Sequence, residues 1–217
     1  MSAAEQLDLA PMTFQDYLDH EYEAEFRHEI WNGVLVAMAG AADEHIDAAS
    51  NLNTELGQSL KGGPCRVDGS DRLVYQPSRD KGVYPDLTVT CGPRDHVYDS
   101  KNRKRALLNP TLVVEILSPS TASRDLGPKR EGYFSIPSLR EYVLVDPTTA
   151  WVRTIRRVEG GWLESTVTDL SATVRFESLD VALALADIYR GVPLSDRSRV
   201  RDLDDDEPGG EGSKPGA

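Results

Sequence analysis

The spacing of hydrophobic residues along the chain predicts several helices. Thr13 can cap a short first helix. A longer helix begins near Asp43 and ends at the Gly-Gly-Pro sequence of residues 62–64. Its apolar residues lie near helical spacing at Ile46, Ala49, Leu52, Leu56 and Leu60. A further helix is predicted over residues 128–135, and a last one over residues 179–189.

Strands are predicted where apolar residues alternate with polar ones or run together. They cover residues 65–76, 83–91, 112–117 and 141–145, with hairpins over 28–39 and 151–168. The Asn32-Gly33 pair favours a type I′ turn in the first hairpin. Segment 112–117 is almost continuously apolar, as is typical of a central strand covered on both faces. With residues 92–109 as a long loop, the order indicates an α/β fold with a C-terminal hairpin and helix.

Length and charge limit the possible functions. The chain has 217 residues, which suits one domain, and a formal net charge of -12. A body this acidic is unlike a general nucleic-acid coat, so a polyanionic ligand would need a local basic patch or a metal ion. We expect a flexible N-terminus over residues 1–12, a folded domain over 13–192 and an acidic disordered tail over 193–217.

The chain has neither an apolar run of about 20 residues nor a basic segment followed by an apolar stretch at its start. We therefore expect a cytoplasmic protein without a membrane partner. Cys65 and Cys91 match no metal-binding spacing and no disulfide framework. They are expected to be buried free thiols in a reducing compartment.

The most informative feature is a carboxylate inside an apolar strand. Glu115 lies in the middle of segment 112–117, where a carboxylate is unfavourable unless it is paired, protonated or bound to a cation. Asp86 follows Pro85 at the entry to another apolar strand. If the two carboxylates converge to about 4 Å at an effective dielectric near 20, they repel by about 4 kcal/mol. A divalent cation removes this repulsion, and Mg²⁺ prefers one or two carboxylates together with waters and phosphate oxygens.

Lys129 lies at the start of the helix that follows the Glu115 strand. A lysine there could stabilise negative charge developing on a phosphate or orient an attacking water. Each residue also has an ordinary structural interpretation. Asp86 could be a turn residue, Glu115 a core carboxylate paired with an arginine, and Lys129 a solvated helix residue. The combination of the three in this order favours a catalytic role.

An ordered set of motifs covers the chain from about residue 13 to residue 189. The motifs are EIWNGVLVAMAG at 29–40, Glu44-His45, YPDLTV at 84–89, NPTLVVEILSPST at 109–121, DxGxKxxxY at 125–133 and IPSLREYVLVD at 136–146. This set resembles the Uma-type putative restriction endonuclease family, which belongs to the PD-(D/E)xK nucleases. The resemblance implies a restriction-endonuclease-like mixed β-sheet core flanked by helices, and metal-dependent phosphodiester hydrolysis.

The resemblance also implies roles for individual residues. Asp86 would be the aspartate of the PD motif and Glu115 the following acidic ligand. Glu29 would be an additional upstream carboxylate in the catalytic set. The usual signature has its lysine two residues after the acid, where this chain has Leu117. Lys129 would therefore have to act from the next helix.

The implied cofactor is Mg²⁺ or Mn²⁺, and His45 joins Asp86 and Glu115 as a candidate metal ligand. His45 could instead be a histidine satisfied within its helix. Glu29 could be a strand-edge residue that pairs with Arg27 or another base. A basic group in the 92–109 loop could contact DNA phosphates or could be solvated. It consists of Lys101, Arg103, Lys104 and Arg105.

The sequence is compatible with three functions. The leading one is a Mg²⁺- or Mn²⁺-dependent endonuclease acting on nucleic acid, most readily DNA. The second is a catalytically weak nuclease-fold protein that acts as a DNA-binding or regulatory module, suggested by Leu117 and the acidic body. The third is a metal-free acid–base hydrolase that uses Glu115 with Asp86. Nucleases of this fold commonly dimerise to cut both strands, so a homodimer is compatible with the first function.

Overall fold

The structure, a computed structural model, describes residues 12–118 and 121–195. The expected flexible N-terminus and acidic tail lie almost entirely outside these residues. The helices are α1 Phe14–Glu23, α2 Asp43–Ser59, α3 Ala122–Leu126, α4 Pro128–Phe134 and α5 Leu185–Ile188. None of the helices in these ranges is long and apolar enough to cross a membrane.

Two large sheets contain most of the strands. The first has the order β2-β1-β5-β4-β8-β7 and the second β12-β11-β10-β9-β6-β3, while β13 and β14 form a separate pair. Strands of the first sheet are β1 His28–Trp31, β2 Val34–Ala37, β4 Val74–Gln76, β5 Lys81–Val83, β7 His96–Tyr98 and β8 Lys104–Leu107. Those of the second are β3 Cys65–Asp68, β6 Leu87–Cys91, β9 Leu112–Ile116, β10 Glu141–Asp146, β11 Trp151–Val158 and β12 Gly161–Val167. The remaining pair is β13 Thr173–Phe176 and β14 Val181–Ala184.

The second sheet is mixed, because β9 runs parallel to β10 and antiparallel to β6. Every residue of β9 and β10 is buried. This confirms that segment 112–117 supplies a central strand, and it confirms the mixed α/β sheet flanked by helices.

Side-chain alternation in β9 divides the core into layers. Leu112, Val114 and Ile116 pack with Leu52 and Leu56 of α2. Val113 faces the other way, into a cluster that joins both sheets and α4. The other face of the first sheet is covered by α1. Glu115 shares the face of Val113, so it points into the layer between the two sheets.

Local sequence signals explain several element boundaries. Thr13 caps α1: its Oγ1 accepts a hydrogen bond from the N–H of Asp16 at 3.2 Å and donates one to the Asp16 carboxylate at 2.6 Å. Asn32 and Gly33 have φ values of 52° and 77°, which confirms the type I′ turn between β1 and β2. Only a residue that tolerates positive φ fits such a turn.

Three sequence-based assignments were wrong. Segment 65–76 is two strands in different sheets, and the 92–109 loop contains the paired strands β7 and β8. Residues 179–189 are not one helix but strand β14 followed by the four-residue helix α5. In β14 the buried Val181 and Leu183 alternate with exposed Ala182 and Ala184. Pairing with β13 therefore overrides the helical propensity of the alanines.

The prediction of free cysteines was also wrong, because Cys65 and Cys91 form a disulfide. The two residues lie directly opposite each other in the antiparallel pair of β3 and β6, with their Cα atoms 3.9 Å apart. Their separation along the chain gives no sign of this, since the sheet register decides which residues meet. The cysteines thus give no support to the expected reducing compartment.

Candidate functional site

Glu115 is the centre of a buried polar cluster between the two sheets. Its side chain is only 4% exposed. One carboxylate oxygen, Oε1, lies 2.8 Å from Lys129 Nζ and accepts a hydrogen bond from the Tyr133 hydroxyl, also at 2.8 Å. The predicted alternative of pairing with an arginine is wrong, since the partner is the lysine.

Lys129 reaches Glu115 from the first turn of α4, where Pro128 starts the helix without needing an N–H partner. Its Nζ also lies 3.1 Å from Glu29 Oε1 and 3.7 Å from Asp125 Oδ1. Lys129 is therefore not a solvated helix residue. It is a buried cation that contacts three carboxylates.

The position of α4 depends on a close approach to β4. The side-chain amide nitrogen of Gln76, Nε2, donates a hydrogen bond to the Lys129 carbonyl at 3.0 Å. A Cβ added to Gly132 would lie 2.0 Å from Gln76 Oε1, so only glycine allows this contact. The helix thereby brings Lys129 against Glu115.

Glu29 enters the cluster from β1 of the first sheet. Its Oε1 accepts a hydrogen bond from the Tyr84 N–H at 3.1 Å, and its Oε2 accepts one from the Trp31 indole at 3.0 Å. The alternative of pairing with Arg27 or another base is met by Lys129, while Arg27 pairs with Asp71. Glu29 and Glu115 thus approach Lys129 from facing sheets.

Asp86 and His45 form the more exposed side of the site. Asp86 Oδ2 accepts a hydrogen bond from the Ile116 N–H at 2.6 Å, and Oδ1 lies 3.3 Å from His45 Nε2. The two side chains are 17% and 16% exposed, against 4% for Glu115. Asp86 is therefore held next to Glu115 but open to solvent, and His45 of α2 contacts it directly.

The surplus of carboxylates determines the protonation of the cluster. Burial alone would lower the pKa of Lys129, but Glu115, Glu29 and Asp125 more than offset it and hold that pKa well above its ordinary value. Burial raises the pKa of Glu115 well above its usual range; Lys129 opposes this shift, and Asp125 and Asp86 add to it. Lys129 therefore stays protonated, and its single positive charge faces more carboxylates than it can neutralise.

The charge of Asp86 also acts on His45. Burial lowers the pKa of His45, but the hydrogen bond and the negative charge of Asp86 outweigh burial and raise it above 6.5. Asp86 therefore makes protonation of the imidazole easier than burial alone would allow.

Sequence reasoning assigned no role to Asp125 and Tyr133, although both stand in the DxGxKxxxY motif. Asp125 is 2% exposed, and burial raises its pKa, with Lys129 opposing. Tyr133 is fully buried and donates to Glu115. The spacing of this motif was the available signal, because residues 125, 129 and 133 recur at helical intervals.

The predicted phosphate-binding group is largely engaged within the protein. Arg103 Nε lies 2.5 Å from Asp99 Oδ2, and the Arg103 guanidinium stacks on Tyr22. Lys101 lies 3.6 Å from Glu23, and Arg105 also stacks on Tyr22. The side chain of Lys104 lies outside the described part of the structure. Contact of this group with DNA stays a prediction.

Among the described residues, no group of three or more His, Cys, Asp or Glu side chains is arranged as a metal-binding cluster. The donors that are present still suit a hard divalent cation. Asp86 and Glu115 are two neighbouring carboxylates, and four acids (these two with Glu29 and Asp125) adjoin one lysine and one histidine. Mg²⁺ binds through one or two carboxylates and completes its coordination with water and phosphate oxygens, so this donor set fits it.

A sequence model of the family described as Uma2, putative restriction endonuclease, matches residues 14–186. The chain belongs to this family. Membership of the Uma2 family confirms the resemblance that the motifs indicated. The matched range includes every residue of the polar cluster.

Two curated proteins of Synechocystis sp. are similar to the chain. The uncharacterized protein slr1290 is 32% identical over 181 residues, which cover 82% of this chain and 91% of the relative. The uncharacterized protein sll1609 is 27% identical over 171 residues, which cover 78% and 95%. The Uma2 chain therefore matches these relatives along nearly their whole length.

A solved structure shares the fold. It is the crystal structure of a putative nuclease belonging to DUF820 from Anabaena variabilis, with a TM-score of 0.66 and 18% sequence identity. The match covers 82% of this chain and 98% of that one. This confirms the predicted nuclease-like fold.

Proposed function

We propose that the protein is a Mg²⁺- or Mn²⁺-dependent endonuclease that hydrolyses phosphodiester bonds in DNA. Family membership and the fold shared with the putative nuclease from Anabaena variabilis support a nuclease in general terms. The observation that carries the proposal is the contact of 2.8 Å between Lys129 Nζ and Glu115 Oε1, directly beside Asp86. It supports the view that Lys129 of α4 takes the role of the lysine that the usual signature has at the position of Leu117.

Asp86 and Glu115 are the proposed metal ligands, with His45 beside Asp86. A bound divalent cation would polarise the scissile phosphate and lower the pKa of a coordinated water. The carboxylates of Asp86 and Glu115 supply the negative charge that would hold the cation. The Ile116 N–H donates a hydrogen bond to Asp86 Oδ2 and so orients this carboxylate.

Lys129 is the proposed electrostatic catalyst. Its raised pKa keeps it protonated, so its positive charge is available to stabilise negative charge that develops on the phosphate. Glu29 and Asp125 hold the ammonium in place from two sides. Glu29 is itself fixed by Tyr84 and Trp31, which makes it a positioning residue for Lys129.

The proposal is tested by incubating supercoiled plasmid with the purified protein and Mg²⁺ or Mn²⁺. Wild-type protein is expected to nick or linearise the DNA, and chelation is expected to stop it. Asp86→Asn and Glu115→Gln remove charge with little change in shape and are expected to lose at least about 100-fold in rate, since both groups act as a unit. Glu177→Gln, at an exposed site paired with Arg175, is the matched control.

Each alternative function corresponds to a different result. Cleavage that persists undiminished in both charge-removing variants would refute the assignment of Asp86 and Glu115. DNA binding without turnover would favour the binding or regulatory module, and full activity in chelator would favour the metal-free hydrolase. A cytoplasmic location and a homodimer stay predictions that fractionation and light scattering can check.

A further inference from the structure

A basic cleft lies outside the acidic site, at the β3 edge of the second sheet. Two adjoining cavities of about 490 and 510 Å³ open there. Their charged or titratable lining residues are Lys61, Arg66, Asp68, Arg72, Arg94 and His96. Asp68 is the one acidic side chain among the residues lining the two cavities. In a protein of net charge -12, this local excess of positive charge indicates a site for an anionic ligand.

Asp68 gathers two of the arginines around one carboxylate. Arg94 contacts both Asp68 oxygens at 2.7 Å, and Arg72 Nε lies 3.0 Å from Oδ2. One negative charge thus holds two guanidinium groups, which leaves a net positive charge. The buried Nε of Arg94 has no hydrogen-bond partner within the described residues. Guanidinium groups that are held in place in this way are suited to bind a phosphate.

Arg66 and Lys61 add positive charge that no described residue neutralises by an ion pair. Both are exposed, and neither forms an ion pair within the described ranges of the chain. Arg66 lies two residues before Asp68 on β3, so both side chains project from the same face. The cleft therefore presents two cations without an ion-pair partner in the described part of the chain, beside the two that Asp68 orients.

Strand register relates this cleft to the acidic site. Arg66 pairs with Thr90 and Asp68 with Thr88, which in turn pairs with Val113 on β9. Paired residues project from the same face, so Arg66 and Asp68 share the face of Glu115. Two strand spacings and four residues of strand rise place the Cα atoms of Arg66 and Glu115 about 16 Å apart. This span corresponds to about four to five base pairs of B-DNA.

We propose that Arg66, Arg72 and Arg94 bind the phosphate backbone of the nucleic acid at a second position, about four to five base pairs from the hydrolysed bond. This inference rests on the proposed function, because it takes nucleic acid as the ligand. The contact is independent of base sequence, since arginine–phosphate pairs position a duplex without reading it. It supplies the local basic patch that so acidic a protein needs to hold a polyanion.

The test is binding of a fluorescently labelled DNA duplex in chelator, measured by anisotropy over a series of salt concentrations. Arg66→Ala is expected to weaken binding by about threefold to tenfold and to reduce the slope of log affinity against log salt by about 0.9. Arg66→Glu is expected to weaken it further. Arg175→Ala, at an exposed arginine on the β13–β14 pair, is the matched control and is expected to bind as wild type does.

Several results would overturn the inference. They are wild-type affinity and slope in both Arg66 variants, equal losses in Arg175→Ala, or no DNA binding by the wild type. A site for free phosphate alone would show as inorganic phosphate binding that Arg66→Ala abolishes while DNA affinity is unchanged, and this too would refute the proposal. Arg66 is exposed and has no ion pair with a described residue, so its substitution is not expected to unfold the protein, and thermal melting checks this.

The outcomes for the two proposals can be told apart. Binding in chelator requires no cleavage. DNA binding that depends on Arg66, in a protein that never cuts DNA, would refute the proposed endonuclease function and leave the proposed phosphate contact intact. DNA cleavage by the wild type together with normal DNA binding by the Arg66 variants would refute only the proposed phosphate contact.

Discussion

Asp86 accepts a hydrogen bond from the backbone N–H of Ile116, the residue that directly follows Glu115, at 2.6 Å. The segment before β6 is thereby tied to the end of β9. This contact needs an oxygen acceptor but no negative charge. The orientation of Asp86 and its charge can therefore be separated by mutation.

We expect Asp86→Asn to keep near wild-type stability and to lose cleavage, because the amide oxygen can still accept from Ile116. Asp86→Ala leaves that N–H without its acceptor and is expected to lose stability by about 1–3 kcal/mol as well. Urea unfolding and plasmid cleavage, measured on the same preparations, check both. Equal stability of the two variants would show that the hydrogen bond contributes nothing.

Lys129→Met is expected to destabilise the protein by about 3–5 kcal/mol near neutral pH, since it leaves the buried Glu115, Glu29 and Asp125 without their cation. The deficit should shrink at acidic pH, where protonated carboxylates no longer repel. Urea unfolding at several pH values measures this. Lys61→Met, at an exposed lysine, should change stability by no more than about 0.5 kcal/mol. A loss that is independent of pH would point to packing instead of charge.

Gly132→Ala tests the contact that positions α4. Its Cβ would lie 2.0 Å from Gln76 Oε1, so Gln76 must move and give up its hydrogen bond to the Lys129 carbonyl. We expect a loss of about 1–3 kcal/mol and reduced cleavage. Gly57→Ala in α2 is the matched control: open space surrounds that position, and a gain of up to about 1 kcal/mol is expected. The double variant with Gln76→Ala should recover part of the stability that Gly132→Ala loses.

The buried Glu141 should make the stability of the protein depend on pH. Burial raises its pKa above 4.5, although hydrogen bonds from residue 178 and the charge of Arg156 oppose the shift. The unfolded chain thus releases this proton at lower pH than the folded protein, so stability falls as pH rises from 4.5 through the folded pKa. Glu141→Gln cannot ionise and can still accept from the Ser178 N–H. Its stability relative to wild type should therefore increase with pH over this window, as measured by thermal melting; a constant difference would contradict the prediction.

The disulfide between Cys65 and Cys91 closes a segment of 26 residues. Replacing both cysteines with serine is expected to cost about 3 kcal/mol, because the unfolded chain regains the freedom that the bond removes. Reduction should lower the urea concentration at the midpoint of unfolding for the wild type but not for the variant. Thiol titration of the denatured, unreduced wild type should find no free thiol. Two free thiols would show that the bond does not form in solution.

The sequence was sufficient for those features that depend on neighbouring residues. The cap at Thr13, the Asn32-Gly33 turn and the buried strand around Glu115 are set within a few positions, and each is confirmed. The motif order was sufficient for the family and the nuclease-like fold. The anomaly of a carboxylate in an apolar strand was visible because burying a charge is costly wherever it occurs.

Contacts between distant segments were decided by the tertiary structure alone. Pairing of β13 with β14 converted a predicted helix into a strand, and the register of β3 against β6 joined Cys65 to Cys91. Two facing sheets and one short helix brought Glu29, Glu115 and Lys129 within hydrogen-bonding range. The spacing of residues along the chain does not predict these contacts, because they depend on which surfaces pack together and not on the order of residues.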